Sequence, residues 1–167
     1  MVATAIAGIA CIGCGPGAPA PRSPGPFQRA FLSVEHQNRM GRAFDLVRIR
    51  VQLDEGEVFV ADATREQPFP GRLCLHRASV APGTHRLEVE LLYRGHGYGV
   101  FAYLDQYRFP VESHTDVDVP SDALGVHVVS IGYENGGITT PIEDRPSIRF
   151  ELHVERSDVL GGCPPAD

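Results

Sequence analysis

The stretch CIGC at positions 11–14 holds the residues with the most distinctive chemistry. Two cysteines separated by two residues are typical of a redox dithiol or of half a zinc site. A cysteine just after an apolar N-terminal run is also where a bacterial lipoprotein is cleaved and lipidated. A redox or zinc pair needs a folded domain around it, whereas this pair lies between an apolar run and a Gly/Pro-rich segment. The pattern therefore favours lipidation at Cys14, which follows the small residue Gly13, or alternatively at Cys11.

The apolar run at residues 2–13 has the length of the hydrophobic region of a signal peptide and is too short to span a bilayer. No Lys or Arg precedes it, so either the true start lies upstream or the run is a small-residue tail of the mature chain. We interpret it as an export signal. The predicted division of the chain is a signal peptide with a lipidation site at 1–14, a tether with a short helix at 15–41, a β-sandwich at 42–156 and a flexible tail at 157–167.

Two further cysteines are predicted to form a disulfide. If Cys14 is the first mature residue, Cys11 is removed, and Cys74 and Cys163 remain as an even pair in an oxidising compartment. A bridge between them would fix the C-terminal tail to the domain. In the chain-entropy model a loop this long is worth on the order of 4–5 kcal/mol. The alternative is two unpaired thiols that lie far apart.

Histidines and carboxylates do not form a recognisable metal-binding pattern. Single histidines lie in predicted strands, without two or three further zinc ligands at suitable spacing: His76, His85, His127 and His153. The run HTDVDVP places His114, Asp116 and Asp118 on one face of an extended strand, but no loop with calcium-ligand spacing surrounds them. We expect an ordinary amphipathic strand whose inward face is formed by Thr115, Val117 and Val119. The sequence predicts no metal and no cofactor.

Signatures of catalysis are also missing from the sequence. It contains no Gly-x-Ser-x-Gly elbow, no Gly-x-Gly-x-x-Gly between a strand and a helix, and no phosphate-binding loop. Glu143 and Asp144 are adjacent, so their side chains point in different directions, and the neighbouring Arg145 favours an ion pair or a turn. We therefore predict that the chain is not an enzyme and has no catalytic residue.

The charge composition argues against a nucleic-acid partner. Fifteen positive residues, all of them Arg, stand against 21 acidic residues, giving a formal charge of −6. Proteins that bind a phosphate backbone need a basic surface, which this composition does not supply.

An aromatic, glycine-rich segment at residues 93–107, YRGHGYGVFAYLDQY, is the best candidate for a binding surface. Alternating glycines permit close approach of a partner, and aromatic rings supply contact area. The residues predicted to form a partner or ligand surface are His96, Tyr98, Phe101 and Tyr103. The alternative is a bulged crossover between sheets, with its tyrosines packed at the core edge. The absence of Trp argues against a platform that stacks on sugars.

The elements that would position these residues are strands. In FDLVRIRVQL, at 44–53, Val47, Ile49, Val51 and Leu53 alternate with polar residues, as in a half-buried strand. Turn residues at 54–56 and 81–83 separate this strand from its neighbours. Further strands are predicted at 57–61, 72–80, 84–93, 106–113, 114–120, 124–133 and 147–156.

Seven or eight strands with short turns between them predict an all-β, antiparallel β-sandwich of Ig-like or PEGA-like type. Residues 28–41 are interpreted as a short amphipathic helix that uses Phe31, Val34 and Met40.

Two stretches carry a resemblance to known families. VAPGTHRLEVEL, at 80–91, resembles the turn and strand of PEGA-like surface domains, which are small β-sandwiches of bacterial envelope proteins. LLYRGHGYGVFAYLDQYRFPVESHT and YENGGITTPIEDRPSIRFE resemble uncharacterised envelope proteins of high-GC Gram-negative bacteria, across about residues 43–155. Members of that family often carry the label dihydrolipoamide acetyltransferase. This chain lacks the His-x-x-x-Asp-Gly motif and any lipoyl-lysine, and the resemblance implies no site residues.

These features together predict an exported, lipid-anchored β-sandwich with a non-catalytic binding or scaffolding role. Its expected place is the cell envelope, on the periplasmic face of a membrane or at the cell surface. The expected partner is another envelope protein, with a glycan as an alternative, and the membrane is reached only through the lipid anchor. The alternative functions are a carbohydrate-binding module and, third, a small hydrolase or transferase that would need a deep polar pocket.

Overall fold

The computed structural model describes residues 29–97, 99–137 and 139–155, without the side chains of 99–101. These residues form an all-β sandwich of two four-stranded sheets, as the sequence predicts. The strands are β1 Ala30–Arg39, β2 Phe44–Leu53, β3 Gly56–Asp62, β4 Arg72–Val80, β5 Gly83–Gly95, β6 Arg108–Val119, β7 Gly125–Glu134 and β8 Pro146–Glu155. Two short 3₁₀ helices lie at Gly99–Gln106 and Ile142–Asp144.

The strand order is β4-β1-β7-β8 in one sheet and β3-β2-β5-β6 in the other. All neighbouring strands are antiparallel except β1 and β7, which run parallel. Within the described part of the chain, no helix combines the length and apolar character needed to cross a membrane.

The helix predicted at residues 28–41 is wrong. This segment forms β1, an inner strand between β4 and β7. Its most deeply buried residues recur every second position, at Ala30, Leu32, Val34 and His36, while Phe31 is nearly half exposed. A period of two is that of a strand, and Phe31 and Val34, which suggested a helical face, lie on opposite faces. The sandwich therefore begins at Ala30 and not at residue 42.

A β-bulge in β2 changes which residues face the core. The pairing with β5 shifts between Leu46 and Arg48, so Val47 is the extra residue. Before the bulge Phe44 and Leu46 are buried, whereas after it the odd-numbered residues face inward. Val47 was predicted to share the apolar face with Ile49, and the bulge explains why it is only partly buried.

The space between the sheets is filled mainly by aliphatic side chains. Residues with no exposed surface include Leu32, Val34, Ile49, Val51, Leu87, Val89, Val117 and Val128. On β6, His114, Asp116 and Asp118 are exposed while Val117 and Val119 are buried, which confirms the predicted amphipathic strand.

One polar cluster lies inside this core. The Ser130 hydroxyl donates to the Glu35 carbonyl oxygen at 3.3 Å, so His36 Nδ1 is the donor to Ser130 Oγ at 3.0 Å. His36 Nε2 and the Tyr93 hydroxyl are buried without a hydrogen-bond partner among the described residues. Gly132 provides the space for the Tyr93 hydroxyl, since a Cβ there would overlap with it.

The β2–β3 hairpin is closed by a two-residue turn with left-handed backbone at both positions. Asp54 has φ 49° and Glu55 has φ 67°, as in a type I′ turn. The Asp54 carboxylate accepts a hydrogen bond from the Arg86 backbone N–H at 2.9 Å and contacts His85 Nδ1 at 2.6 Å. These contacts hold the turn against the start of β5.

Candidate functional site

A polar cleft of about 590 Å³ opens at one end of the sandwich. It lies between the loop at 63–71, which follows β3, and a wall formed by Arg94 at the end of β5, His96 and Gly97 after it, and Asp105. The start of β2 and the end of β1 complete its wall. Polar residues of the lining are Asn38, Asp45, Thr64, Arg65, Arg94, His96 and Asp105.

Asp45 is the centre of the first group of charges. It lies opposite Arg94 in the β2–β5 pairing, and its Oδ2 accepts hydrogen bonds from Arg94 Nη2 at 2.9 Å and His96 Nδ1 at 3.1 Å. Partial burial alone would raise the pKa of Asp45, but the hydrogen bonds from Arg94 and His96 outweigh it and lower the pKa. Asp45 is therefore ionised at neutral pH and acts as an acceptor.

Arg94 is the most enclosed charged side chain of this group. Its side chain is 15% exposed, and Arg94 Nε is buried without an acceptor among the described residues. Most buried polar groups in proteins are hydrogen-bonded, so a buried guanidinium nitrogen without an acceptor calls for an explanation, and a ligand in the cleft is one. The guanidinium is thus held at the cleft wall with incomplete hydrogen bonding.

Asp105 forms the second group, on the 3₁₀ helix at Gly99–Gln106. Its Oδ1 accepts a hydrogen bond from the Gly97 backbone N–H at 3.0 Å and lies 3.6 Å from Arg65 Nη2. These contacts connect the two sides of the cleft. Gly95 allows the 3₁₀ helix to approach β5 this closely, because a Cβ there would overlap with the Leu104 carbonyl.

The floor and one wall of the cleft are apolar. Phe44 and Leu46 are buried beneath it, and Pro68 and Phe69 border it from the loop. Phe44 packs edge-to-face on Phe109, with ring centroids 5.2 Å apart. Apolar surface beside hydrogen-bonding groups is typical of small-molecule binding sites.

The structure places the predicted surface residues in different surroundings. His96 lines the cleft, and its side chain is about half exposed. Tyr103 is 53% exposed, and its ring packs edge-to-face on Tyr107 instead of lining the cleft. Tyr98 and the side chain of Phe101 lie outside the described residues.

The residue pattern of the sequence does not single out Asp45, Arg65, Arg94 or Asp105. Asp45 and Arg94 are 49 positions apart and meet only through strand pairing. The signal that the sequence offered for Asp45 was a charged residue between two apolar ones, Phe44 and Leu46, at the start of a strand.

The chemistry of the cleft is that of hydrogen bonding and charge. Thr64 supplies the one side-chain hydroxyl in its described lining, and Thr64 Oγ1 already accepts from the Gln67 backbone N–H at 3.1 Å. Glu143 and Asp144 lie away from it, in the 3₁₀ turn at Ile142–Asp144. Among the described residues, no group of three His, Cys, Asp or Glu is arranged to hold a metal ion.

Only one of the four cysteines, Cys74, lies in the part of the chain that the structure describes. Cys74 is disulfide-bonded. Cys11, Cys14 and Cys163 lie outside the described residues, so lipidation and the Cys74–Cys163 pairing stay predictions.

Comparison with known proteins found no matching family model, curated protein or solved structure. The resemblance to envelope proteins therefore stays a prediction.

Proposed function

We propose that this chain is a non-catalytic binding module of the cell envelope and that its end cleft holds a polar ligand. The observation that carries the proposal is the Asp45 carboxylate at the cleft wall, where one oxygen accepts hydrogen bonds from both Arg94 and His96. Asp105 and Arg65 face this group from the other side.

The state of these side chains favours binding over catalysis. A general acid needs a carboxyl whose pKa is raised toward neutrality, whereas the pKa of Asp45 is lowered. Asp105 is occupied by a backbone N–H and a guanidinium. Fixed donors and acceptors over an apolar floor are suited to orienting a ligand without changing it.

A glycan is the second candidate for the ligand. Sugar hydroxyls both donate and accept hydrogen bonds, and the cleft offers carboxylate acceptors beside guanidinium and imidazole donors. Phe69 borders these groups, and an aromatic ring beside them can pack on the apolar face of a sugar. A carbohydrate-binding module is therefore the alternative hypothesis, in which the polar ligand is a sugar.

The binding test compares exposed cleft residues with matched residues elsewhere. His96→Ala and Arg65→Ala each remove a side chain more than half exposed, so the fold should be retained. We expect each variant to lose about tenfold in affinity for isolated envelopes or for soluble glycan released from them. The matched controls are His114→Ala on β6 and Arg86→Ala on β5, whose side chains are exposed and do not line the cleft, and both should bind as the unmodified chain does.

Equal binding by all four variants would refute the cleft as the site. Binding to envelopes without binding to released glycan would assign the ligand to an envelope protein and not to a carbohydrate.

The envelope location rests on the N-terminal sequence and has its own test. We expect the mature chain to begin at a lipidated Cys14, which the mass of its N-terminal peptide would show. Cys14→Ala should move the protein from the membrane fraction to the soluble fraction, whereas Cys11→Ala should not. Retention of residues 1–13 in the mature protein would contradict this location.

A further inference from the structure

β8 forms one edge of its sheet, and half of its backbone groups point away from the sheet. The carbonyl oxygens of Arg145 and Glu155 point toward β7, because they accept from Asn135 N at 2.7 Å and Leu124 N at 3.0 Å. The register between β7 and β8 is uninterrupted. In an antiparallel pair the backbone direction alternates, so the N–H and C=O groups of the even-numbered residues of β8 face the free edge. No other strand in the described ranges pairs there.

The same edge exposes apolar side chains. Leu152 is 42% exposed and Val154 is 45% exposed, although both belong to the apolar face of β8. An exposed edge strand with free backbone groups and apolar residues is a template for pairing with another strand.

The sequence of β8 is complementary to itself when a second copy runs antiparallel. If Leu152 lies opposite Leu152 of the second copy, Phe150 lies opposite Val154, which places apolar residues together. On the other face, Arg149 then lies opposite Glu155, and Glu151 lies opposite His153. Each of these pairs occurs twice because of the twofold symmetry. The Arg149 and Glu151 side chains are about half exposed and form an ion pair with each other at 3.4 Å, which the dimer would exchange for contacts with Glu155 and His153 of the second copy.

The register is restricted by charge and by backbone direction. Outward-facing backbone groups must meet, so even-numbered residues must lie opposite even-numbered residues. Moving the centre by one position along the strand, to 151 or 153, would place Glu151 opposite Glu151 or Glu155. Like charges directly opposite each other destabilise a strand pair. The Leu152-centred register avoids this repulsion and covers both exposed apolar side chains.

The neighbouring edge of the other sheet lacks these properties. β6 presents Glu112, Asp116 and Asp118 along its exposed face, and Pro110 has no N–H to donate. Charges and proline on an edge strand hinder pairing with other chains. Self-association is thus favoured at β8 and not at β6.

We propose that the chain forms a symmetric dimer in which β8 pairs antiparallel with β8 of a second copy, with Leu152 at the twofold axis. The two sheets that contain β8 then join into one continuous sheet of eight strands. This interface lies on strands that do not line the end cleft, and it does not depend on the proposed ligand.

The test is the mass of the full chain in solution by analytical ultracentrifugation. We expect a concentration-dependent dimer, and Leu152→Arg should shift it to monomer. Val60→Arg is the matched control, because Val60 is 51% exposed on the edge strand β3, and this variant should remain dimeric. A monomer at all micromolar concentrations would overturn the proposal, as would a dimer that Leu152→Arg leaves intact.

A charge exchange tests the register without relying on a disruptive variant. Arg149→Glu places two carboxylates together and should weaken the dimer, and adding Glu155→Arg in the same chain should restore it. In addition, Leu152→Cys should form a disulfide between copies, because directly opposed Cα atoms lie about 5.5 Å apart, within disulfide range. Failure of the double variant to restore the dimer, or faster cross-linking by Phe150→Cys than by Leu152→Cys, would contradict this register.

Discussion

The buried imidazole of His36 should make the stability of this protein depend on pH. His36 is 1% exposed between the two sheets, where Ser130 accepts from its Nδ1 and its Nε2 has no partner in the described part of the chain. Burial lowers the pKa of His36 from 6.5 to about 4, and the contact with the Ser130 backbone only partly opposes this effect. The folded protein therefore keeps His36 neutral at a pH where the unfolded chain binds a proton.

The sign and size of the effect follow from this difference in pKa. The stabilisation is fully present above pH 6.5 and is lost as the pH falls toward 4, because only the unfolded state takes up the proton in that interval. The full loss is about 3 kcal/mol, at about 1.36 kcal/mol per pH unit. Between about pH 7.5 and about pH 5 the loss from His36 alone is about 2 kcal/mol.

The perturbation that tests this effect is His36→Leu. Leucine fills much of the same space without a titratable group, and the Ser130 hydroxyl keeps its hydrogen bond to the Glu35 carbonyl oxygen. At about pH 7.5 the variant should be within about 1 kcal/mol of the unmodified chain.

The assay is urea unfolding of the full chain, followed by far-UV circular dichroism because the chain has no Trp. On going to about pH 5, His36→Leu should lose about 2 kcal/mol less stability than the unmodified chain. Other titrating groups are common to both proteins and cancel in this difference. His114→Leu, at an exposed position of β6, should behave as the unmodified chain does. Equal losses in His36→Leu and the unmodified chain would refute the reasoning.

Three further substitutions test the core, the hairpin and the cross-link. Gly132→Ala should lower the free energy of unfolding by about 1–3 kcal/mol because its Cβ overlaps with the Tyr93 hydroxyl, and Tyr93→Phe in the same chain should recover most of the loss in a urea titration; additive losses would contradict this account. Glu55→Gly should raise the unfolding free energy by about 1 kcal/mol because Glu55 has a left-handed backbone, whereas a decrease would show that its φ is not strained. Cys74→Ser should lower the unfolding free energy by about 2–5 kcal/mol through loss of the disulfide. In the unmodified chain, denatured but not reduced, thiol titration should find no free thiol at Cys74, and a free thiol there would contradict the disulfide.

The strands could be predicted from the sequence because their polar and apolar residues alternate. This holds for β6, where carboxylates alternate with valines. It fails for β1, where the sequence fits both structures. Phe31 and Val34 have the spacing of a helical face, whereas Ala30, Leu32 and Val34 alternate as in a strand. The partners of β1 decide the outcome, since pairing with β4 and β7 makes β1 an inner strand, and its Leu32 and Val34 are completely buried in the core between the sheets.

The site could be predicted only where its residues lie in one distinctive segment. His96 was found because it belongs to the glycine-rich stretch, whereas Asp45 looked like one polar residue of an alternating strand. The bulge at Val47 and the pairing with β5 bring Asp45 to Arg94, and neither can be derived from local residue pattern. Likewise, the contact between Arg65 and Asp105 depends on a loop and a 3₁₀ helix that are distant in sequence.

The central claim, that the end cleft binds a ligand, is tested most directly by mapping amide chemical shifts. The full chain, labelled with ¹⁵N, would be titrated with soluble glycan fragments and with peptides released from envelopes. The account predicts that one of these ligands shifts the amides of Asp45, Arg65 and Gly97 most strongly, with saturation at a single affinity. Shifts confined to β8 or the outer sheet faces, or no shifts with either ligand class, would contradict it.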